Sequence, residues 1–227
     1  AKGIFIFESE EEAVKAAILL HDIGHGPFSH VLEHTLIGKA SHEELSLLLM
    51  ERMNREMNGK LSLAIQIFTN NYHKKFLHQL VCGQLDMDRL DYLRRDSFYT
   101  GVTEGNIGSA RIIKMLHVIN DNLVVQAKGI YSIENFLTAR RLMYWQVYLH
   151  KTSVTYERML INTLLRAKFL AHKGYDLFSS PALHFFLYNN LDLSLEEKKE
   201  EVLNNFIQLD DTDIWSALKV WCSHSDR

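Results

Sequence analysis

One stretch of the sequence, HDIGHGPFSH at residues 21–30, decides how we expect the chain to fold. It follows an apolar run at residues 16–20 that predicts the last turns of a helix. The glycines and the proline should end that helix and turn the chain. Adjacent helical side chains point about 100° apart, so His21 and Asp22 can share one ion only where the backbone leaves the helix. An imidazole beside a carboxylate suits a divalent metal that works on phosphates.

The rest of the chain predicts an all-α protein with one small β-hairpin and a helical C-terminal appendage. Ser-X-X-Glu capping boxes predict helix starts at Ser9 and Ser41. The other helices are expected at residues 28–36, 61–69, 74–81, 86–98, 107–118, 132–151, 155–172, 195–206 and 214–222, and the hairpin pairs residues 123–126 with 129–131. Gly174 and the Ser-Ser-Pro run after it form the clearest break. We therefore expect a core at residues 1–173 and an appendage at residues 174–227.

The composition restricts the partners and the cellular setting. With 227 residues and a formal charge of −3, the chain lacks the basic character that would favour nucleic acid or an anionic membrane surface. No apolar run approaches the roughly 20 residues that span a bilayer. Cys82 and Cys222 show neither metal-type spacing nor a disulfide framework. We expect a cytoplasmic protein with no membrane contact, and nucleic-acid binding stays open.

A second motif, LDMDRLDYLRRD at residues 85–96, places unlike polar groups on one helix face. Asp88, Tyr92 and Asp96 are spaced four residues apart and therefore share one side of a helix. A carboxylate, a phenol and a second carboxylate fit a metal ligand followed by a sugar-binding edge. The alternative is a solvated helix face with Asp–Arg pairs. It suits Asp91 and the neighbouring arginines, but explains an aromatic ring between two acids less well.

A third cluster combines cations and aromatic rings on the helix predicted at residues 132–151. Arg140, Tyr144 and Lys151 follow helical spacing, and Tyr148 lies one turn beyond Tyr144. Such a helix can hold phosphates and stack on a base or sugar. The alternative is an amphipathic helix whose long cationic side chains extend to solvent. Spacing alone favours that alternative.

Histidines concentrate directly after the first motif. Five of the twelve histidines fall between His21 and His42. A histidine held by a neighbouring carboxylate can donate a proton near neutral pH. Any single histidine is more often a surface or core residue, but the clustering favours a shared role. The candidates are His25, His30, His34 and His42, with Glu33 and Glu43 beside them.

Together these segments resemble the HD phosphohydrolase superfamily, and more narrowly its deoxynucleoside triphosphate triphosphohydrolase branch, which includes bacterial dGTPases. The matching segments are residues 21–30, Ser41-His42-Glu43, residues 86–96 and Tyr148-Leu149-His150-Lys151, within a match over about residues 13–151. The resemblance implies an HD-domain helical bundle around a divalent metal, with Mn, Mg, Fe, Ni and Zn all open. It implies His21, Asp22 and Asp88 as metal ligands. A fourth ligand, an upstream histidine, has no counterpart in residues 1–20, and we expect it on an earlier helix outside this sequence.

The same resemblance implies roles for the other polar residues. The implied catalytic groups are His25, His30 and His42, oriented by Glu33 and Glu43. The implied substrate contacts are Arg89, Tyr92, Asp96, Arg140, Tyr148, His150 and Lys151. The implied reaction is metal-assisted hydrolysis of a deoxynucleoside triphosphate such as dGTP to a deoxynucleoside and triphosphate. We expect His42 or His30 to protonate the leaving 5′ oxygen.

Two other functions stay open at this point. One is another HD phosphohydrolase that acts on nucleoside monophosphates, cyclic nucleotides or alarmones. Such an enzyme has no need of the triphosphate contacts implied at Tyr92, Asp96 and residues 148–151. The other is a non-catalytic nucleotide-sensing module with a degenerate metal site. Relatives assemble into oligomers, so the expected partners besides the substrate are further copies of the chain and a nucleotide effector.

Overall fold

The structure is a computed structural model, and it describes residues 3–29, 31, 35–36, 41–189 and 196–226. The chain divides into two compact units. The first consists of Ala1–His21 and Met50–Val154, and the second consists of Asp22–Leu49 and Thr155–Arg227. Helices dominate both units, and the regular β-structure among the described residues is one two-stranded hairpin. The predicted fold class, all-α with one small hairpin, is confirmed. The predicted boundary near residue 173 stays a prediction.

The first unit is built from short helices that bury one face each. They are α1 (Glu8–Leu20), the second half of α2 (His42–Glu56), α3 (Ser62–Phe68), α4 (Lys75–Val81), α5 (Met87–Thr100), α6 (Ser109–Met115) and α7 (Ile130–Met143). α1 packs against α3 and α4. Leu93, Ile112 and Phe136 are fully buried and join α5, α6 and α7 in one apolar cluster. This cluster fixes one face of α5 and leaves another face to carry polar groups.

α1 begins earlier than its predicted capping box. Phe7 is the N-cap residue, and its amide donates a hydrogen bond to Glu10 at 2.9 Å. Glu10 is 1% exposed and also accepts hydrogen bonds from the Tyr72 hydroxyl and the Lys74 ammonium group, both at 2.6 Å. The start predicted at Ser9 is therefore wrong. A buried acid with three donors determines the first turn more strongly than an exposed capping box does.

The start of α2 agrees with the sequence. The amide of Ser41 donates to the Glu44 carboxylate at 3.0 Å, and the amide of Glu44 donates to the Ser41 hydroxyl at 3.2 Å. This reciprocal pair is the capping box that the sequence predicts. It makes His42 the first residue of α2.

The hairpin lies earlier in the chain than the sequence suggested. β1 (Leu116–Ile119) pairs antiparallel with β2 (Asn122–Val125). Asn120 and Asp121 form the two-residue turn, with φ angles of 48° and 63°. Two successive residues with positive φ give the turn whose twist matches that of the strands, and Asn and Asp tolerate this conformation.

Two predicted elements are corrected by this pairing. The helix expected over residues 107–118 is too long, because α6 ends at Met115 and the chain continues as a strand. The pairing of residues 123–126 with 129–131 is wrong, because Ala127–Gly129 forms a 3₁₀ turn.

The helix expected over residues 132–151 is interrupted. After α7 comes a π-helical turn at Tyr144–Tyr148, and α8 (Lys151–His172) begins after a short break. The amide of Leu149 closes the turn by donating to the carbonyl oxygen of Tyr144 at 2.7 Å. A π-turn inserts one residue into a helix without a change of composition, so hydrophobic spacing does not reveal it.

The second unit has its own apolar core. Besides the first turns of α2 and most of α8, it contains α9 (Pro181–Tyr188), α10 (Glu196–Phe206) and α11 (Asp211–Trp221). Leu45, Phe186 and Ile214 are fully buried in this core. α9 was missed by sequence reasoning, although a serine N-cap at residue 180 followed by proline is a helix-start signal.

Part of the predicted helix at residues 28–36 lies outside the described residues. Val31, Thr35 and Leu36 are described and buried, and the Thr35 hydroxyl donates to the carbonyl oxygen of Val31 at 2.7 Å. In the part of the chain that the structure describes, no helix has both the length and the apolar character needed to cross a membrane.

Candidate active site

His21 follows the last residue of α1, and its ring is held in one orientation. Its Nδ1 lies 2.7 Å from the carbonyl oxygen of Ile18. A carbonyl oxygen only accepts, so Nδ1 carries the hydrogen and donates it. Nε2 points to α5 and lies 3.9 Å from Oδ2 of Asp88. In metal-binding histidines, a hydrogen bond from the nitrogen that does not bind the metal orients the ring, and the bond from Nδ1 to Ile18 can have this role in His21.

Asp88 comes to His21 from the first turn of α5. The carboxylate is about one-third exposed, while Leu90 and Leu93 on the same helix are buried. The His21 ring lowers the pKa of the Asp88 carboxyl, and partial burial only partly offsets this effect. Asp88 is therefore ionised near neutral pH, as a metal ligand has to be.

The turn after His21 is packed tightly against the first turns of α2. The amide of Gly24 donates to the buried hydroxyl of Ser46 at 2.9 Å. A Cβ atom at Gly24 would lie within 3.0 Å of the His42 carbonyl oxygen and the Ser46 amide nitrogen. Glycine is therefore required here because two backbone segments approach each other closely.

This packing brings Asp22, His25 and His42 together. The His25 and His42 rings stack with their centroids 4.1 Å apart and an angle of 14° between their planes. Nε2 of His25 lies 3.7 Å from Oδ1 of Asp22. Each of the three residues offers a possible ligand atom, and these atoms all lie within 4.8 Å of one another. The cluster contains groups that can transfer protons beside a carboxylate.

The remaining predicted catalytic residues are Glu43, His30 and Glu33. Glu43 lies exposed in the first turn of α2. His30, Glu33 and the neighbouring His34 lie outside the described residues.

A second set of predicted residues meets between α5 and the π-helical turn. The Tyr148 hydroxyl donates a hydrogen bond to Oδ2 of Asp96 at 2.6 Å. Burial and this bond to an acid raise the pKa of Tyr148, so the phenol keeps its proton. The Tyr92 ring meets the Tyr148 ring edge to face, with centroids 6.0 Å apart. Asp96, Tyr92 and Tyr148 therefore form one cluster.

The predicted alternative, a solvated Asp–Arg helix face, describes another side of α5. Asp91 and Arg95 form an exposed ion pair there. The alternative therefore describes that exposed side of the helix, and the interpretation of Asp88, Tyr92 and Asp96 as a metal ligand and a sugar-binding edge stays a prediction. Surface pairs of this kind contribute little to stability.

Hydrogen bonds hold the Arg89 side chain in place at the start of α5. Its Nε donates to Asp86 at 2.9 Å and to the carbonyl oxygen of Gly83 at 3.0 Å. Asp86 is 4% exposed and is the N-cap residue of α5. A half-buried guanidinium at the first turn of this helix adds positive charge to the helix face that carries Asp88 and Tyr92.

Arg140, His150 and Lys151 complete the set of predicted contacts. Arg140 donates to the Gln84 side chain at 3.3 Å, and its guanidinium lies 5.8 Å from the centre of the Tyr144 ring. His150 is exposed in the break before α8, and its Nδ1 accepts a hydrogen bond from the Thr152 amide at 3.3 Å. Lys151 is the exposed first residue of α8.

Comparison with known proteins gives the family. The model of the HD domain family matches residues 1–96, and the model described as HD associated region matches residues 107–174. The chain belongs to the HD domain family.

Two curated relatives and one solved structure show how far the likeness extends. The chain is 32% identical to the uncharacterized protein YwfO of Bacillus subtilis, over 96% of this chain and 50% of YwfO. It is 28% identical to the deoxynucleoside triphosphate triphosphohydrolase SAMHD1 homolog of Dictyostelium discoideum, over 87% of this chain and 41% of that protein. It also resembles the crystal structure of a phosphohydrolase from Bacteroides thetaiotaomicron, with a TM-score of 0.94 and 76% identity.

The chain spans about half the length of these relatives. It covers 56% of the phosphohydrolase chain in the crystal structure, although that match includes 99% of the present sequence. The match therefore concerns the HD domain, the associated region and the segment that follows.

HD domains bind divalent metals, and the residues present fit such an ion. An imidazole nitrogen of His21 and the carboxylate of Asp88 face each other 3.9 Å apart. Asp22 follows His21 directly in the chain and adds a second carboxylate. Nitrogen and oxygen donors of this kind suit Mn, Fe, Ni, Zn or Mg, so the identity of the metal is not specified.

Sequence reasoning missed several residues that position this HD site. Asp86 was matched only as part of a motif, although an Asp just before an apolar helical pattern is an N-cap signal. Ser46 and Gln84 were missed because a lone serine or glutamine has no distinguishing spacing. Glu10 was missed because burial of an acid cannot be inferred from an acidic run in sequence.

Proposed function

We propose that the protein to which this HD domain belongs hydrolyses deoxynucleoside triphosphates, dGTP among them, to a deoxynucleoside and triphosphate. The observation that supports it most directly is the cluster of Tyr92, Asp96 and Tyr148. It sets a carboxylate, a hydroxyl and an aromatic face beside one another, as recognition of a sugar requires. One relative, the SAMHD1 homolog of Dictyostelium discoideum, is named for this reaction.

The proposed metal ligands are His21, Asp22 and Asp88. A divalent ion held there would polarise the α-phosphate and lower the cost of attack by water. His21 keeps its ligand nitrogen oriented through its bond to Ile18, and Asp88 keeps its charge because its pKa is lowered.

The proposed proton transfer uses the histidines next to the metal ligands. A bond forms between a water oxygen and the α-phosphorus, and the bond from that phosphorus to the 5′ oxygen breaks. The 5′ oxygen then needs a proton, for which His42 or His30 is the proposed donor, and the proton that the attacking water loses restores that histidine. His25 stacks on His42 and lies beside Asp22, so it is proposed to hold the His42 ring in place. Glu33 and Glu43 are proposed to orient the histidines.

The proposed phosphate contacts are Arg89 on α5, Arg140 on α7, His150 in the break before α8, and Lys151 at the start of α8. Arginine binds phosphate oxygens with two parallel hydrogen bonds, and such fixed cations stabilise charge as it develops in the transition state.

Sugar selection is assigned to the cluster on α5. Asp96 uses one oxygen for the Tyr148 hydroxyl, and among the described residues no donor bonds its other carboxylate oxygen. That oxygen can accept the 3′-hydroxyl of the substrate. A Tyr92 ring packed against C2′ would crowd a 2′-hydroxyl and so favour deoxyribose.

The remaining expectations belong to the same proposal. A nucleotide effector, assembly into a homo-oligomer, the cytoplasmic setting and the division into residues 1–173 and 174–227 stay predictions.

The decisive experiment separates products by ion-exchange chromatography after incubation of the full-length protein with Mn²⁺ and each deoxynucleoside triphosphate. Deoxynucleoside plus triphosphate is the expected result. Monophosphate plus pyrophosphate, or turnover only of monophosphates, cyclic nucleotides or alarmones, would assign another phosphohydrolase reaction to the site. Nucleotide binding without any turnover would favour the sensing module.

A further inference from the structure

Asp86 uses both carboxylate oxygens, and the two oxygens have different partners. Oδ1 accepts the amide of Arg89 at 2.7 Å, which caps α5. Oδ2 accepts the amide of Gly83 at 3.1 Å and Nε of Arg89 at 2.9 Å. With 4% exposure, this acid is held away from water and needs these donors.

Capping alone does not require the second oxygen. Asp210 caps α11 with Oδ1 only, which accepts the amides of Thr212 and Asp213. A helix cap is complete when one oxygen meets the orphan amides of the first turn. Oδ2 of Asp86 is therefore not needed for the cap, and it connects the Gly83 amide with the Arg89 side chain.

The bond through Nε leaves the outer part of the guanidinium for another partner. Gly83 and Asp86 both engage Nε. Among the described residues, no acceptor bonds the two terminal amino groups of Arg89. A guanidinium held in this way offers four N–H donors, two of which can bind a phosphate in parallel.

We propose that Asp86 is a positioning residue, which clamps Arg89 through Nε so that its terminal amino groups bind a substrate phosphate. This inference rests on the proposed function only in that it takes Arg89 as a phosphate contact. The clamp already restricts the Arg89 side chain before the substrate binds. Less side-chain entropy is therefore lost on binding, and the affinity for the phosphates is higher.

The test is a double-mutant cycle on the full-length protein with Asp86→Asn, Arg89→Gln and the double variant. Asparagine keeps an oxygen for the cap of α5, but its amide group replaces Oδ2 and cannot accept from Nε. Isothermal titration calorimetry with inorganic triphosphate gives the dissociation constant of each variant. In parallel, kcat and KM are measured with a deoxynucleoside triphosphate.

We expect Asp86→Asn to weaken triphosphate binding about tenfold and to raise KM similarly, the scale of one charge-assisted hydrogen bond. In the Arg89→Gln background the same change should have no further effect on binding, because the clamped group is absent. Bound metal should stay unchanged, and the thermal midpoint should fall with Asp86→Asn in both backgrounds, because the partly buried Gly83 amide also loses its acceptor. Asp210→Asn, the same replacement at another N-cap, should leave triphosphate binding and turnover as they are.

Three outcomes would overturn the clamp. They are effects that multiply independently in the double variant, loss of metal in Asp86→Asn, and no binding of triphosphate by the wild-type protein. The proposed function is judged separately. Triphosphate binding that follows the cycle, without turnover of any deoxynucleoside triphosphate, would keep the clamp and remove the proposed reaction. Turnover of a deoxynucleoside triphosphate, together with independent effects of the two substitutions on triphosphate binding, would keep the proposed reaction and remove the clamp.

Discussion

Two groups of candidate functional residues, one in each compact unit, are positioned by different means. Around Gly24, main-chain segments approach so closely that no side chain fits between them. Along α5, the functional groups are fixed by side-chain hydrogen bonds, from Asp86 to Arg89 and from Tyr148 to Asp96. The histidine cluster thus depends on backbone packing, and the α5 cluster depends on removable polar contacts.

This difference predicts how the two parts respond to substitution. A change at Gly24 disturbs the fold and the site together, because backbone atoms cannot move aside separately. A change on the polar face of α5 should reduce function and leave stability nearly intact, because the buried face of that helix is unaffected. The substitutions below test this contrast, and the first has the largest expected effect.

Asp88→Ala should separate function from folding most completely. It removes a proposed metal ligand, so we expect turnover to fall on the order of a thousandfold, more than the roughly 10–100-fold that loss of an outer-shell partner costs. The carboxylate is about one-third exposed, so unfolding should change by less than about 0.5 kcal/mol. Bound metal measured by mass spectrometry should fall together with turnover. Unchanged metal content and turnover would remove Asp88 from the ligand set.

Gly24→Ala should affect both properties. The added methyl group meets the backbone of His42 and Ser46, and we expect a loss of about 3 kcal/mol in urea unfolding, the upper range for overpacking. Gly108→Ala is the matched control, because nothing lies within 4 Å of a Cβ atom there. A stable, fully active Gly24→Ala variant would show that the turn can adapt, and the contrast between the two parts would fail.

Tyr148→Phe should have a smaller effect on activity alone. It removes the hydroxyl that donates to Asp96 and keeps the ring packed against Tyr92. We expect kcat/KM for a deoxynucleoside triphosphate to fall about tenfold, because Asp96, the proposed acceptor for the 3′-hydroxyl, loses the hydrogen bond that orients it. Tyr99→Phe, an equally conservative change at an exposed position on α5, should leave kcat/KM unchanged. If both variants behave alike, the hydroxyl is not part of sugar recognition.

The sequence was sufficient where the family or an element follows from local spacing. His21, Asp22 and Asp88 stand in motifs whose residue types and separations are specific; they lie within the segment that the HD family model matches, and their role as metal ligands stays a prediction. The capping boxes and glycine stops were likewise local signals. Their success at Ser41 and failure at Ser9 show the limit, because a buried network can override a local cap.

The sequence was insufficient where tertiary contacts decide. The π-helical turn at Tyr144–Tyr148 aligns Tyr148 with Asp96, two residues that are 52 positions apart. The two-residue turn at Asn120 and Asp121 required a pairing that hydrophobic alternation alone did not specify. The role of Asp86 depends on its burial, which nothing in an acidic, arginine-rich motif reveals.

The smallest expected effect concerns the network that positions the start of α1, the helix that ends next to His21. Burial favours the neutral form of Glu10, but hydrogen bonds from Lys74, Tyr72 and the Phe7 amide outweigh it and lower the pKa of the Glu10 carboxyl below 4.5. The bond to Glu10 raises the pKa of Tyr72 from 10.0 to about 12. This network resembles the α5 cluster in being made of side-chain contacts.

The signs of the two shifts give a pH dependence that can be measured. Stability from Glu10 is complete above pH 4.5 and is lost as the pH falls through its lower folded pKa. Stability from Tyr72 is complete below pH 10 and is lost as the pH rises toward 12. Tyr72→Phe should cost about 1 kcal/mol in urea unfolding at neutral pH and should flatten the alkaline decline, whereas Tyr131→Phe at an exposed position should not. If Tyr72→Phe kept the wild-type decline between pH 10 and 12, the phenol would not be bonded to Glu10, and backbone packing rather than side-chain contacts would have to hold the start of α1.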